Sequence, residues 1–429
     1  MAPINPIHSG IGVLRRIGGN PLLERFGLKT PFEKLVYSGS KYGFRAATAG
    51  ARSFKKISGV TQAQRPDRHA ASGLFDLTPT EEQQMIREAV ARFAAERLRP
   101  AAAQADADSR APDGLLAEAA ALGIASFSVP EAFGGAASEH SVVTGALIAE
   151  SMAHGDLGLA LASLAPVGVA NVLTRWGSAE QQSRYLPAFA QDNPPAAALA
   201  LVEPRALADP ARPQTRVMRR GDGWALSGEK ALVPLAETAE LYLVSAVDEQ
   251  GEVALYVVEP GDGLLLKPEP AMGLRAAELG TLRFDDMTLP EGARIDAAVM
   301  DYSRLAWCAM AVGTAQAVVD YVVPYVNDRQ AFGEPISHRQ AVAFGVADMA
   351  LETEAMRLAT WRAAALADQG KSFQRETALA YRLCCDKAMQ IGSQGVQLLG
   401  GHGFVKEHPV ERWYRDLRAI AVMSGGVCL

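Results

Sequence analysis

The period of the hydrophobic pattern changes twice along the chain, which restricts the fold to helices on both sides of a β domain. From Leu77 onward, apolar residues recur at helical spacing after a capping-type string at 78–83, and Pro100 is expected to end this first helix. Strand-like alternation begins near Ala196, and helical spacing returns after Pro290. Predicted strands lie at 197–202, 224–227, 240–246, 253–259 and 281–289, and predicted long helices at 299–328, 338–369, 373–400 and 409–423.

These patterns predict a mainly α protein with a central β domain. The predicted parts are a basic N-terminal extension at 1–72, an N-terminal helical domain at 74–195, a middle β domain at 196–297 and a C-terminal four-helix bundle at 298–429. Charges, Gly or Pro interrupt each apolar stretch, so we expect no membrane-spanning helix. The four cysteines and seven histidines show no disulfide or metal-ligand spacing, which predicts a reducing compartment and no metal site.

The N-terminal extension differs from the rest of the chain in charge. Residues 1–72 contain twelve Lys or Arg and three Asp or Glu, whereas the remainder contains 30 basic and 45 acidic residues. Aromatic residues lie among the basic ones, which suits an anionic membrane surface, an acidic protein partner, a transit peptide or an arm that packs on the body. We expect a cytoplasmic protein, peripheral on the inner membrane surface if the extension binds lipid, or a mitochondrial-matrix protein if it holds a transit peptide. Nucleic acid is not an expected partner, because the body is acidic and no nucleic-acid motif occurs.

Short motifs follow one another in order through all three predicted domains. The sequence has no Gly-x-Gly-x-x-Gly after a strand, no P-loop and no Gly-x-Ser-x-Gly. The ordered motifs are Val129-Pro130-Glu131-x-x-Gly134-Gly135, Glu203-Pro204, Gly228-Glu229-Lys230, Met272-Gly273-Leu274-Arg275, Arg329-x-x-Phe332-Gly333, Gln397-x-x-Gly400-Gly401 and Tyr414-Arg415-Asp416. In these motifs, from about Leu77 to Gly425, the chain resembles the acyl-CoA dehydrogenase family of FAD flavoproteins, and in particular the degenerate subunits of its heteromeric members.

The resemblance implies desaturation of an acyl-CoA, with FAD as the cofactor. In that family a carboxylate removes the α-proton of the acyl-CoA while the β-hydride passes to the flavin. Most members carry this base as a Glu in a Tyr-Glu-Gly-Thr string, and its position here is Ser424. A second branch places the Glu in the first bundle helix, where this chain has Ser303, between Asp301 and Arg304. The resemblance therefore puts Ser424, Asp301 and Arg304 at the substrate, but neither base position carries a carboxylate.

The positions that family members use to hold their own flavin ring have also changed. These changes remove hydroxyl groups and an aromatic ring that contact the cofactor, so they imply that this chain holds a flavin ring poorly. The replacements are Val202 and Ala208 for Thr and Ser in one loop, Leu232 and Pro234 for Trp and Thr in the next strand, and Gly426 and Cys428 for Thr and Gln near the C-terminus.

A different set of cofactor positions is retained. In this family FAD crosses a dimer interface, and each subunit contributes residues to the adenine and diphosphate of its neighbour's FAD. Arg suits this role because it is always charged and bonds a diphosphate at two points, and paired glycines allow close backbone approach. The matching residues here are Arg329, Phe332, Gln340, Gln397, Gly400 and Gly401.

Three hypotheses follow from this combination of lost and retained residues. The first is a degenerate subunit that contributes to the FAD site of a second acyl-CoA dehydrogenase-like subunit. The second is an active homotetramer with an unusual base, Asp301 or His402. The third is a scaffold or membrane-docking protein that has kept only the fold. For an enzyme, the resemblance implies acyl-CoA as substrate and an electron-transfer flavoprotein as electron acceptor.

Overall fold

The computed structural model describes residues 77–136 and 140–429, together with Pro31 and Lys34. The chain divides into two units, Met1–Leu74 and Phe75–Leu429, and the description below concerns the second. The expected roles of the basic extension lie outside the described residues, apart from those two isolated helical positions.

Helices make up the first part of the second unit. Thr80 begins them with a capping box, because its side chain accepts the N–H of Gln83 while the Gln83 side chain accepts the N–H of Thr80. The longest of these helices is almost fully buried, so its apolar residues form the centre of the block. The helices are α1 (Glu81–Phe93), α2 (Arg99–Asp108), α3 (Leu115–Ala121), α4 (Val142–Gly155), α5 (Leu157–Trp176) and α6 (Ala179–Phe189).

The expectation that Pro100 ends the first helix is wrong. A π-helical turn at Ala94–Leu98 follows α1 and leads directly into α2, where Pro100 lies in the first turn. The N–H of Arg99 donates to Ala94 O, five residues back, and this wider turn accommodates a proline without ending the helix. The chain therefore stays helical to Asp108.

A mostly antiparallel sheet forms the middle of the unit. Its strands run in the order β6-β7-β3-β2-β4-β5-β8, and β1 pairs with β4 in parallel. The strands are β1 (Ala197–Ala200), β2 (Arg216–Arg220), β3 (Gly223–Val233), β4 (Leu241–Val247), β5 (Val253–Val258), β6 (Leu264–Pro268), β7 (Gly280–Leu289) and β8 (Arg294–Ile295).

Three of these strands are absent from the predicted set. In β2, four of the five residues are exposed, so no alternation of apolar and polar residues marks it. The edge strand β6 is likewise exposed along most of its length, and β8 has two residues. All three are defined by hydrogen bonds to longer neighbours, which a local hydrophobic pattern does not show.

Long helices form the C-terminal part, as the periodicity predicts. Helix α7 packs against α4, α8 and α9, and α10 packs against α9, so the bundle and the N-terminal helices share one core that contains Trp307 and Trp413. The helices are α7 (Met300–Asp328), α8 (Gln340–Asp368), α9 (Gln374–Leu399) and α10 (Val410–Ala419), and a short hairpin of β9 (Gln330–Ala331) and β10 (Glu334–Pro335) joins the first two. The predicted fold class, mainly α with a central β domain, is confirmed.

Two helices are longer and more apolar than the sequence analysis expected of any stretch. By length and composition alone, α5 and α7 are apolar enough to cross a membrane. The most apolar stretch of α5 is 89% buried inside the protein, and that of α7 is 78% buried. Core helices of folded proteins can be equally long and apolar. The apolar character of α5 and α7 is therefore explained by the core that they form.

Candidate functional site

The two positions where a base was expected lie side by side. The N–H of Gly425 donates to Ser303 Oγ at 2.9 Å, and Trp307 Nε1 donates to Gly425 O at 2.9 Å. Gly425 has a φ of +80°, and a Cβ there would lie 2.7 Å from the Leu201 side chain, so the turn favours glycine. The first turn of α7 therefore meets the turn after α10, next to Ser424, and both base positions are hydroxyls.

Asp301 and Arg304 lie in the same first turn of α7. Arg304 Nη1 is 3.7 Å from Asp301 Oδ1, and its guanidinium lies 5.8 Å from the centre of the Tyr381 ring. Arg304 Nε is buried and has no hydrogen-bond partner within the described residues. Burial raises the pKa of Asp301, which is the direction that a general base requires. Both predicted substrate residues thus lie together, but their contact with a substrate stays a prediction.

Tyr381 was not among the predicted site residues. Its hydroxyl lies 3.0 Å from Ile420 O and 3.1 Å from Met423 O, so it fixes the segment that leads to Ser424. Burial raises the pKa of Tyr381, so the phenol keeps its proton. A tyrosine within an amphipathic helix has no sequence signal that separates this role from core packing.

The residues after Ser424 are locked between α5 and the sheet. The N–H of Gly426 donates to Leu199 O at 3.0 Å, and Asn171 Nδ2 donates to Cys428 O at 2.8 Å. A Cβ on Gly168 would lie 2.8 Å from the backbone N of Cys428, so helix and tail are in close contact. Burial raises the pKa of the Cys428 thiol to about 12, which leaves it protonated and unreactive.

The β-domain face beside this tail presents mainly carbon. A Cβ on Gly426 would lie 3.4 Å from the ring of Pro234, and the side chain of Leu232 packs on the core. Leu232 also has a φ of +54°, which is unfavourable for a leucine. Weak binding of a flavin ring at this face stays a prediction from the sequence.

A buried ion pair explains why Glu203 and Lys230 remain although the flavin positions around them have changed. Lys230 Nζ lies 3.1 Å from Glu203 Oε1 and 3.0 Å from Ser245 Oγ, and the lysine is completely buried. The Glu203 carboxylate also accepts the N–H groups of Gln214 and Thr215 at 2.8 Å. Burial lowers the pKa of Lys230 to about 8, although the Glu203 charge opposes that shift. The pair holds the loop after β1 to the sheet.

A second candidate site lies on an exposed end of the helical bundle. Arg329 ends α7, and its N–H donates to Tyr325 O at 2.9 Å while its side chain is exposed. Phe332 is 94% exposed with a φ of +56°, and the Arg339 guanidinium lies 5.5 Å from its ring centre. Gln340, the first residue of α8, is also exposed.

The glycine pair after α9 belongs to the same exposed end. Gly400 has a φ of +59°, so its own backbone requires glycine. Gly401 has no such φ, and a Cβ there would meet no atom of the described residues within 4 Å, so the described part of the chain does not explain a glycine here. The Tyr325 hydroxyl lies 3.4 Å from Leu399 O, which connects this turn to the end of α7. Gln397, in the last turn of α9, is exposed as well.

All six predicted donor residues therefore lie at one end of the bundle, with exposed side chains or open backbone. An exposed Arg, two exposed amides, an exposed ring and an unobstructed glycine backbone are the groups that bind a diphosphate and an adenine. The residues fit the adenine and diphosphate half of an FAD molecule that approaches from outside this chain. Among the described residues, no group of three His, Cys, Asp or Glu could hold a metal ion.

Comparison with known proteins agrees with this architecture. Family models of the acyl-CoA dehydrogenase N-terminal, middle and C-terminal domains match residues 80–193, 198–287 and 291–426. The mitochondrial short-chain specific acyl-CoA dehydrogenase of Bos taurus is 34% identical over 360 residues, which cover 80% of this chain and 87% of the bovine protein.

Solved structures give the same result. Butyryl-CoA dehydrogenase from Megasphaera elsdenii superposes with a TM-score of 0.75 at 28% identity, over 81% of this chain and 95% of that structure. The FAD complex of PigA superposes with a TM-score of 0.75 at 26% identity, over 81% of this chain and 95% of that chain. With matches to all three domain models and a relative above 30% identity over most of both chains, the protein belongs to the acyl-CoA dehydrogenase family.

Proposed function

We propose that this chain is a subunit of an FAD-dependent acyl-CoA dehydrogenase and that it completes the FAD site of a partner subunit. The observation that supports the proposal is the contrast between its two candidate sites. The site at Ser303 and Ser424 has hydroxyls at both base positions and lies beside a carbon-rich sheet face. The exposed end of the bundle keeps Arg329 and the open Gly401 backbone.

Each retained residue has a specific task in this proposal. Arg329 pairs with the FAD diphosphate, because a guanidinium stays charged and forms two hydrogen bonds in one plane. Gly401 allows the diphosphate to approach the backbone, and the amides of Gln340 and Gln397 bond the adenine edge. Phe332 packs its exposed ring against the cofactor or the partner. Bound FAD supplies the hydride acceptor of the reaction.

The serines of this chain are not expected to remove the α-proton. A hydroxyl needs its own base before it can accept a proton from carbon near neutral pH. Ser303 Oγ instead accepts the N–H of Gly425, so it serves the turn that holds Ser424. The base that acts on the acyl-CoA substrate is then supplied by the partner subunit, and an electron-transfer flavoprotein is the proposed electron acceptor.

Purification with and without a partner tests the proposal. The chain should be produced alone and together with a second family subunit that carries the usual Glu base. We expect visible flavin absorbance and dye-linked acyl-CoA oxidation from the complex, and little of either from the chain alone. Stoichiometric FAD and full activity in the isolated chain would contradict the donor role.

A homotetramer that uses Asp301 as its base is the second candidate. It is favoured by one observation, the raised pKa of Asp301 in the turn that contains Ser303. Under the donor proposal, Asp301→Asn and Ser424→Ala should each leave the activity of the complex within about twofold, because neither group transfers the proton. A loss of oxidation activity in Asp301→Asn, with FAD content unchanged, would favour the homotetramer.

We propose that the basic extension binds a membrane surface or the partner subunit. The same binding would be the function of the chain under the scaffold hypothesis. Residues 1–72 carry the excess of Lys and Arg described above. Full-length protein should float with anionic vesicles at low salt and detach as salt rises, because exposed charges are screened. A chain without residues 1–70 should remain folded and lose this binding. Equal flotation and equal partner binding of both forms would leave no surface role for the extension, and the peripheral cytoplasmic location would then be wrong.

A further inference from the structure

Four aromatic side chains at the exposed end of the bundle form a continuous group, the Tyr–His cluster of Tyr321, Tyr325, His402 and His408. The Tyr325 hydroxyl lies 2.8 Å from His402 Nδ1, and the Tyr321 hydroxyl lies 2.7 Å from His408 Nδ1. The two imidazole rings are stacked, with centres 5.2 Å apart and planes inclined by 15°. Apart from His402, which is a possible base in the homotetramer hypothesis, these residues have no role in the family resemblance or in the proposed function.

Tyr325 connects the two halves of the proposed donor surface. Its backbone oxygen accepts the N–H of Arg329 at 2.9 Å. Its hydroxyl lies near Leu399 O at 3.4 Å and bonds His402, and these are the residues on either side of Gly400 and Gly401. The positions of the arginine and of the glycine backbone therefore depend on the same tyrosine.

The inner side of the cluster is fixed to the core. The Tyr321 ring packs edge-on against Trp413 at 5.7 Å, and Trp413 is completely buried. Gly403 is in tight contact with α9, since a Cβ there would lie 2.2 Å from Val396 O. His402 and the two glycines before it are exposed. If the rings separate, the exposed turn moves and the core does not.

We propose that the Tyr–His cluster is a proton-sensitive latch that holds Gly400 and Gly401 in position for the partner's FAD diphosphate. This inference rests on the proposed function and adds its regulation. Histidine is the side chain that ordinarily changes charge between pH 5 and 8. With neutral rings, each phenol O–H donates to an unprotonated Nδ1, and the two flat rings can stack.

Protonation of both rings opposes this arrangement. A second charge places two like charges 5.2 Å apart in parallel rings, so the stack is expected to open. The Tyr321 phenol does not neutralise the pair, since burial raises its pKa and keeps it protonated.

The other charged groups near the cluster lie on α7, on the loop between the two histidines and on α10. Asp328 and Arg329 are exposed at the end of α7, and Lys406 and Glu407 are exposed in the loop. From α10 the first-turn carboxylate is Glu411, and both of its oxygens bond Arg415.

The test measures FAD release from the co-purified complex between pH 7.5 and pH 5.5. We expect release to become roughly fivefold faster or more at the lower pH, because two protonated rings repel each other and the stack opens. His408→Phe keeps a ring for stacking and removes the second charge, so its release should change little with pH. His69→Phe is the control, because it removes a histidine of the N-terminal extension that belongs neither to the cluster nor to the proposed donor residues, and it should keep the wild-type pH dependence.

A second measurement does not need the partner. Amide hydrogen exchange of residues 399–408 in the full chain, corrected for intrinsic rates, should increase at pH 5.5 in the wild type and not in His408→Phe. The latch is wrong if the wild type and His408→Phe share one pH profile of FAD release, or if exchange in this segment does not change with pH. If Arg329→Ala leaves FAD binding unchanged at pH 7.5, the proposed function itself fails, which is a separate outcome.

Discussion

Arg329→Ala is expected to lower the FAD occupancy and the acyl-CoA oxidation of the co-purified complex together. Arg329 is exposed at the end of α7, so its removal leaves the core of this chain intact. It takes away a charge-assisted, two-point contact to a diphosphate, which corresponds to roughly 10- to 100-fold weaker FAD binding. The measurement is a titration of apo-complex with FAD, followed by flavin fluorescence, and activity at saturating FAD should recover.

Arg382→Ala is the matched control for this experiment. Arg382 is an exposed arginine on α9, about four helical turns before Gln397, so it removes the same charge from the same bundle. Its complex should bind FAD like the wild type. If the two variants weaken FAD binding equally, the effect is one of net charge and the specific role of Arg329 is refuted. A lowered unfolding temperature in Arg329→Ala alone would identify a structural role for the residue instead.

The architecture was accessible from the sequence because long, buried elements produce long periodic patterns. The predicted ends of α7, α8 and α9 lie within two residues of those observed. The strands β2 and β6 were missed for the opposite reason, since most of their residues are exposed and only pairing with longer strands defines them. The helix continues past Pro100 because a π-helical turn precedes it, and the residue types in that segment do not predict such a turn.

The candidate sites were accessible only in part. The motifs identified positions, but no local pattern could show that Ser303 reaches the turn of Ser424, because about 120 residues separate them and tertiary packing brings them together. Tyr381 and Tyr325 were missed because a tyrosine in a bundle helix resembles a core residue until its hydroxyl partner is known. The sequence predicts which catalytic and cofactor-binding groups are lost and which are kept. The fold then shows which of these groups lie close together.

The buried ion pair of the β domain provides the largest expected effect on stability. Lys230 is completely buried, and Glu203 is its charged partner at 3.1 Å. Glu203→Gln leaves an ammonium in the interior without a countercharge, which is expected to cost about 3 kcal/mol of unfolding free energy at pH 7. Glu229→Gln, an exposed change on the same strand as Lys230, should cost almost nothing.

The pH dependence distinguishes this electrostatic effect from a simple loss of hydrogen bonds. The pKa of Lys230 is about 8 in the folded protein, below its ordinary value of 10.5. Between these two values the unfolded chain binds more protons, so the contribution of Lys230 to folding stability rises with pH and is lost as pH falls through 8. In Glu203→Gln the pKa of Lys230 falls further, because the charge that raised it is gone. The stability deficit of Glu203→Gln relative to the wild type should therefore be largest below pH 8 and smaller at pH 9.5.

Chemical unfolding at pH 7 and pH 9.5 measures this difference. The double variant Glu203→Gln with Lys230→Met should recover much of the stability lost at pH 7, because it leaves no buried unpaired charge. An equal deficit at both pH values, with no recovery in the double variant, would show that Glu203 acts through the N–H groups of Gln214 and Thr215. In that case the loop after β1 is held by hydrogen bonds alone, and the retention of Lys230 would need a different explanation.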